Sequence, residues 1–263
     1  MRIVLDKSAL FGLSGARVRE LCAAHDVWMP EVLFYELLTT GNEERALLFA
    51  KIGAGENPFH LISNGGYLWG RELAARRATQ PVADSGLQAV RWVFNPRLRD
   101  AGFDPVAELP DVVAWQAHMQ ERAVGFLERA RAVAAVFFPD LVDVRGGNLP
   151  RVRAVQATLG GDSARVREIY ADLAAANDEA VPDDFGPHWM GYRLLQAQLL
   201  WALDHIARYG AGPGLTPREL ENTFCDAEYG AIAAHADCLL TRDRGLAGQF
   251  RIMAPEVRCE AEL

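Results

Sequence analysis

Lysine is almost missing from this 263-residue sequence, which carries 27 basic residues against 35 acidic ones. Lys7 and Lys51 are the two lysines, so nearly every cation is an arginine. The net charge of -8 argues against a protein that coats nucleic acid non-specifically, because such binding draws its free energy from neutralising phosphates. A nuclease stays open, since metal-binding carboxylates add negative charge at one place while basic residues gather elsewhere.

Cysteine is also scarce, and the 4 cysteines form neither a CxxC pair nor a Cys/His group with the spacing of a zinc site. We therefore expect reduced, mostly buried thiols in a cytoplasmic protein. No run of about 20 apolar residues occurs, and too few apolar residues precede Asp6 for the core of a signal peptide. The sequence predicts a protein that is neither secreted nor membrane-spanning. The cysteines are Cys22, Cys225, Cys238 and Cys259.

The start of the chain carries the pattern of a parallel α/β sheet. RIVL (residues 2–5) is a β-branched run that predicts a strand, and residues 14–26 have the apolar spacing of a helix. VWMP (27–30) predicts a second strand, and residues 31–42 predict a second helix. This alternation of strand and helix indicates the first part of a parallel α/β sheet.

The same alternation returns near the other end. TPRE (216–219) has the N-cap, first-turn proline and capping-box pattern of a helix start, which predicts a helix over 216–237. CLLT (238–241) predicts a buried strand, and FRIMAP (250–255) predicts a further one. Residues 256–263 are expected to form a peripheral tail.

Between these ends, residues 43–215 contain segments with apolar residues at helical spacing, and glycine and proline clusters separate these segments. We predict an α/β protein with a three-layer α/β/α core. Its parallel sheet would come from residues 1–42 and 216–255 and would be interrupted by an all-α insertion over 43–215.

Aspartates stand at the ends of two predicted strands. Asp6 follows the first strand directly, and Asp243 follows CLLT closely. The carboxyl ends of parallel strands meet at one edge of a sheet, where the functional crevice of such folds lies. Asp226, on the helix that leads into CLLT, can reach the same edge, and Asn222 shares its helical face.

Two further choices stay open in the sequence. Glu36 lies in the middle of an apolar helix and is a stronger candidate for the site than Glu31, whose place in the first turn the helix dipole explains. Glu228 competes with Asp226, and because the two lie about 200° apart around a helix, they cannot both face one crevice.

Carboxylates that meet in one crevice repel one another unless a cation neutralises them. Mg²⁺ or Mn²⁺, which prefer oxygen ligands and keep several waters, would suit four such groups, and hydrolysis of a phosphate ester is the chemistry that such a site supports.

The combination of IVLDKSAL, PEVLFYELL and DAEYGAIAAHADCLLTRD resembles the PIN-domain nucleases over residues 1–42 and 216–255. The resemblance implies a three-layer α/β/α fold and Mg²⁺- or Mn²⁺-dependent cleavage of RNA. It implies that Asp6, Glu36, Asp226 and Asp243 form the acidic quartet that holds the metal, and that Ser8 and Thr241 support the acids or contact phosphate. Asn222 is a candidate for substrate contact beside the quartet. The long insertion departs from the compact members of the family, so the substrate and the partner are not carried over.

Each acid also has an ordinary interpretation. Asp6 could cap a helix, Asp243 could form a turn, and Glu36 and Asp226 could be ordinary helix residues that face solvent. Arginines concentrated in residues 71–99 and 145–167 could track phosphates, with Tyr67, Trp69 and Trp92 as stacking candidates, or could simply face solvent.

Two alternatives to a ribonuclease remain. One is a non-catalytic PIN-like scaffold whose helical insertion binds a protein partner, and the other is a structure-specific DNA nuclease.

Overall fold

Five parallel strands form one sheet in the order β3-β2-β1-β4-β5. The computed structural model describes residues 1–53, 55–86, 93–142, 149–209 and 216–262. The strands are β1 (Arg2–Leu5), β2 (Asp26–Pro30), β3 (His60–Ile62), β4 (Cys238–Leu240) and β5 (Arg258–Glu260).

Helices surround this sheet and fill most of the rest of the described chain. They are α1 (Lys7–Gly12), α2 (Gly15–Ala24), α3 (Glu31–Thr39), α4 (Asn42–Ile52), α5 (Gly65–Ala75), α6 (Pro81–Asp84), α7 (Pro105–Glu108), α8 (Pro110–Phe137), α9 (Pro139–Val142), α10 (Leu149–Thr158), α11 (Ala164–Ala176), α12 (Met190–Tyr209), α13 (Pro217–Ala233) and α14 (Arg244–Met253), with a 3-10 turn at Pro96–Arg99.

The strand β1 lies at the centre of the sheet. Ile3 pairs with Val27 on one side and with Cys238 on the other, so both neighbours run parallel to β1. Ile3, Val4 and Leu239 are fully buried. Strands that are buried on both faces need helices on both sides, which is the three-layer α/β/α architecture expected from the sequence.

The helix α13 begins as its sequence signature predicts. The Thr216 hydroxyl accepts a hydrogen bond from the Glu219 amide, and the Glu219 carboxylate accepts one from the Thr216 amide. This reciprocal capping box satisfies two amides that the first turn of a helix otherwise leaves unpaired.

The prediction of an all-helical insertion is wrong at one place, because β3 lies within residues 43–215. In β3, His60 pairs with Trp28 of β2 and Ile62 pairs with Pro30 of β2, and the two strands run parallel. Only three residues long, β3 has one buried side chain, Ile62, and therefore carries no alternation that a sequence pattern could detect.

Two predictions near the end of the chain are also wrong. Residues 250–255, predicted as a strand, lie mostly in α14, because Leu246, Phe250 and Met253 recur at helical spacing and are buried. The predicted tail contains β5, in which Cys259 is the buried residue and pairs with Leu239.

The insertion packs directly on the core. Its helices α8 and α12 both contact α13, and a Cβ at Gly230 in α13 would lie 3.1 Å from the Trp201 ring of α12. Buried residues of the insertion and of the sheet share one hydrophobic cluster. Among the described residues, no helix combines the length and apolar composition that crossing a membrane requires.

Candidate active site

The four predicted carboxylates line one cleft of about 510 Å³ at the carboxyl edge of the sheet. Asp6 comes from the end of β1, Glu36 from α3, Asp226 from α13 and Asp243 from the loop after β4. The residues therefore come from four separate elements. Ser8 and Asn222 also line the cleft.

Asp6 is buried and held firmly. Its carboxylate accepts hydrogen bonds from the Ala9 amide at 2.7 Å and from the Thr241 hydroxyl at 2.7 Å, and the Ser8 hydroxyl lies 2.9 and 2.8 Å from its two oxygens. Burial, and the charge of Asp243 to a smaller extent, raise the pKa of Asp6, while these three hydrogen bonds oppose the rise. Asp6 is thus both the N-cap of α1 and a cleft carboxylate.

Asp243 likewise caps a helix and lines the cleft. One oxygen, Oδ1, accepts hydrogen bonds from the Gly245 and Leu246 amides at 2.6 and 2.9 Å and so caps α14. The Asp243 amide donates to the Thr241 hydroxyl at 3.0 Å, which ties the Asp243 loop to Asp6 through one side chain. The small hydroxyls predicted at Ser8 and Thr241 therefore contact the acids.

Glu36 lies half-buried in α3. The Tyr229 hydroxyl donates a hydrogen bond of 2.6 Å to Glu36 Oε2. Burial raises the pKa of Glu36 to about 7, although the Tyr229 hydrogen bond and the charge of Lys7 lower it. The pKa of the Tyr229 phenol rises well above its usual range, mainly because it is buried and next because of the Glu36 charge.

Asp226, and not Glu228, faces the cleft. Burial, followed by the charges of Asp243, Glu36 and Asp6, raises the pKa of Asp226 well above its usual range, and a hydrogen bond from Trp201 opposes the rise. Glu228 is turned away and accepts hydrogen bonds from the Gly65 amide at 2.7 Å.

Glu228 joins three elements of the fold. It lies in α13, binds the N-terminus of α5 through Gly65, and pairs with Arg122 of α8 at 3.2 Å. The arginine offsets the cost of burying a carboxylate, and the network fixes α13 against the insertion.

The donor set has the chemistry that Mg²⁺ or Mn²⁺ requires. Each carboxylate supplies oxygen ligands, and the mutual repulsion that raises the pKa of Asp226 would fall if a divalent cation lay among them. Across the described residues, no three His, Cys, Asp or Glu side chains lie close enough to hold one ion as they stand.

The described cations that line this cleft belong to residues 1–42 and 216–255. Lys7, Arg218 and Arg242 line it, and Lys7 also bridges to Glu44 at 3.2 Å. Sequence reasoning missed these residues, although two of them stand beside predicted site residues and could have been found by that adjacency.

The arginines of the insertion are largely engaged elsewhere. Ion pairs to nearby acids hold six of them, namely Arg77, Arg97, Arg151, Arg153, Arg165 and Arg167. None of those six lines the carboxylate cleft. Trp92, Arg91 and Arg145 lie outside the described residues, and none of the arginines that the structure describes in residues 71–99 and 145–167 lines the cleft.

The insertion reaches the site on both sides. Gln116 and Gln120 of α8 line a groove that continues the cleft past Arg218 and Asn222. Asp204 and His205 of α12 line a second groove, which shares Asp226 with the cleft. Two insertion helices thus bound the space next to the carboxylates.

No family model, no curated protein and no solved structure matches this chain, so the comparisons add no relative from which a function could be transferred.

Proposed function

We propose that this protein is a metal-dependent endoribonuclease that hydrolyses phosphodiester bonds at the carboxylate cleft. The observation that supports the proposal is that Asp6, Glu36, Asp226 and Asp243, from four distant segments, line one cleft at the carboxyl edge of a parallel sheet. The pKa of Asp226 is raised by burial and by the neighbouring carboxylates, and cations border the same cleft. Both features support a site that binds a divalent metal and a phosphate.

Mg²⁺ or Mn²⁺, when bound, would lower the pKa of a water and polarise the phosphodiester. The chain's own residues would do the rest. Asp6 would be held in one orientation by Ser8, Thr241 and the Ala9 amide. Tyr229 would keep Glu36 oriented, and Arg242 would offer a positive charge to the substrate phosphate.

RNA is the substrate class that the resemblance to PIN-domain nucleases implies. We further propose a cytoplasmic location, which is supported by four free cysteines, three of them buried. The groove walls from α8 and α12 would shape how the strand approaches the acids.

The test is cleavage of labelled single-stranded RNA and DNA with Mg²⁺, Mn²⁺ or EDTA. We expect metal-dependent cleavage of RNA that Asp6→Asn and Asp226→Asn each reduce by at least about 100-fold, as losing a catalytic electrostatic contact typically does. Asp237→Asn is the control, because Asp237 pairs with Arg2 at the opposite edge of the sheet. Cleavage that survives both site substitutions would refute the assignment, and preference for DNA would correct the substrate class.

A non-catalytic scaffold is the second candidate. It is favoured by one observation, namely that the described residues contain no ready group of three metal ligands. Calorimetry with Mn²⁺ separates the two candidates. The nuclease is expected to bind Mn²⁺ and to lose that binding in Asp226→Asn, whereas a scaffold is expected to show no Mn²⁺ binding that depends on Asp226.

A further inference from the structure

An exposed aromatic ring stands at the mouth of the carboxylate cleft. Phe11 is 56% exposed, although its neighbours Ala9 and Leu10 are fully buried. Of the large apolar side chains that the described residues leave exposed, Phe11 is the one that lines this cleft. The exposed part of the ring is therefore available to a ligand that enters the cleft.

The backbone that carries Phe11 is fixed by two cations. Lys51 Nζ donates hydrogen bonds to the carbonyls of Leu10 and Phe11 at 3.2 and 2.5 Å, and it lies 5.4 Å from the centre of the Phe11 ring. On the next residue, a Cβ at Gly12 would lie 2.2 Å from the Arg242 guanidinium, so Arg242 packs against this turn because Gly12 has no side chain.

Arg242, which also pairs with Glu262, lines the mouth, and Lys51 adds a second positive charge next to the Phe11 ring. Burial lowers the pKa of Lys51, and the nearby positive charge of Arg242 lowers it further. A phosphate backbone that passes the mouth would therefore meet positive charge beside an exposed ring. Nucleic-acid strands are held by this pairing of cations for the backbone and an aromatic ring for a base.

We propose that Phe11 stacks on an unpaired base next to the scissile phosphate and so makes the cleft selective for single-stranded nucleic acid. The inference rests on the proposed nuclease function. A duplex cannot offer such a base without unstacking and unpairing it, whereas a single strand can turn one outward. Of the aromatic residues chosen from the sequence, the two that the structure describes take no part in this contact. Tyr67 and Trp69 do not line the cleft, and Trp92 lies outside the described residues.

The test compares intact RNA with RNA that lacks one base. Single-stranded substrates carry one abasic site, moved position by position past the cut, and KM and kcat are measured with Mn²⁺ for wild type and for Phe11→Ala. Stacking on a ring typically contributes roughly 5- to 150-fold in affinity. We expect one position at which base removal raises the wild-type KM about 5- to 10-fold, with kcat little changed.

The variants separate stacking from general damage. Phe11→Ala should raise KM for intact RNA by the same factor and should no longer respond to the abasic site, and Phe11→Trp should restore both. Leu47→Ala is the control, since Leu47 is 62% exposed on α4 and does not line the cleft. Equal KM for wild type and Phe11→Ala, with cleavage intact, overturns the stacking proposal alone. No cleavage by wild type on any strand overturns the nuclease proposal and this one with it.

Discussion

At the scale of single residues, burial raises the pKa of Glu36 and the hydrogen bond from Tyr229 lowers it, so both would set the pH at which the proposed site binds a metal. Glu36 has its pKa raised to about 7 by burial, so it is protonated below that pH and charged above it. Metal ligation needs the carboxylate, and affinity for Mn²⁺ is therefore expected to rise with pH through about 7.

Tyr229→Phe removes the donor that lowers the pKa of Glu36, so that pKa rises further. We expect Mn²⁺ affinity at neutral pH to fall roughly three- to tenfold, consistent with the loss of one hydrogen bond to a charged group, and to recover as the pH increases. Calorimetric titrations across pH check this result. Tyr35→Phe, which removes another buried hydroxyl from α3, is the control, and an unchanged pH midpoint in Tyr229→Phe would contradict the account.

Asp226 should destabilise the metal-free protein at neutral pH. Its folded pKa lies above the unfolded one, so the unfolded chain ionises first and stability falls as pH rises from the ordinary pKa of aspartate to the raised one. Asp226→Asn is expected to melt higher than wild type in EDTA at pH near 8, by about 2–4 °C for each kcal/mol gained, and to match it in acid.

Metal should reverse this order. Mn²⁺ neutralises the carboxylates and is expected to raise the melting temperature of wild type but not that of Asp226→Asn. Asp237→Asn provides the matched comparison, because the Arg2 hydrogen bonds lower the pKa of Asp237 and its loss should cost stability with or without metal. A lower melting temperature for Asp226→Asn in EDTA at pH near 8 would show that burial and the neighbouring carboxylates do not destabilise the charged form of Asp226.

At the scale of elements, Asp243 lies between the end of β4 and the start of α14. Its side chain both caps α14 and supplies a carboxylate to the cleft, and substitutions can separate these two roles. Asp243→Ser keeps an N-cap oxygen and loses the carboxylate, whereas Asp243→Ala loses both. We expect Asp243→Ala to lose about 1 kcal/mol of unfolding free energy and Asp243→Ser to lose less than half of that. Both should lose cleavage. Urea unfolding measures the first effect, and a Ser variant that cleaves normally would reduce Asp243 to a cap.

Some of the helices and strands can be predicted from the sequence alone, and others cannot. β1, β2 and α13 were predictable because their buried residues follow clear spacings and because Thr216 and Glu219 mark a helix start. The three-residue strands β3 and β5 were not, since the pairing that stabilises them comes from β2 and β4 rather than from their own residues. The α14 error could have been avoided by noticing that Asp243 caps an amphipathic helix.

The same physical limit applies to the site. Asp6, Glu36, Asp226 and Asp243 could be chosen because strand ends and helix faces predict where a side chain points. Phe11 and Arg218 could not, because a place at the mouth of a cleft depends on how α1 and α13 pack. Helical geometry left the direction of Glu228 open, and the positions of Gly65 and Arg122 decide it.

At the scale of the whole molecule, the proposed nuclease has a net charge of -8 and would have to attract its polyanionic substrate through a few local cations. Arg218 is exposed and makes no ion pair with a described residue, while Arg242 pairs with the exposed Glu262. Each phosphate contact to a single strand contributes about 0.7 to the slope of log affinity against log salt concentration.

Arg218→Gln and Arg242→Gln are each expected to reduce the salt dependence of kcat/KM by about 0.7 in that slope. Arg165→Gln should leave the slope unchanged, because Arg165 pairs with Glu168 in the insertion and lies outside the cleft. An equal effect of all three substitutions would indicate diffuse attraction and not contacts at the cleft.

A metal that acts on the phosphodiester is central to the proposed function. Single-turnover cleavage of RNA with one sulfur in place of a non-bridging oxygen at the cut tests this most directly. Sulfur binds Mg²⁺ poorly and softer ions better. We predict that the sulfur slows cleavage in Mg²⁺ and that Mn²⁺ restores much of the rate. Cleavage that is equally fast in Mg²⁺ for both substrates, or that continues in EDTA, would contradict a metal at Asp6, Glu36, Asp226 and Asp243.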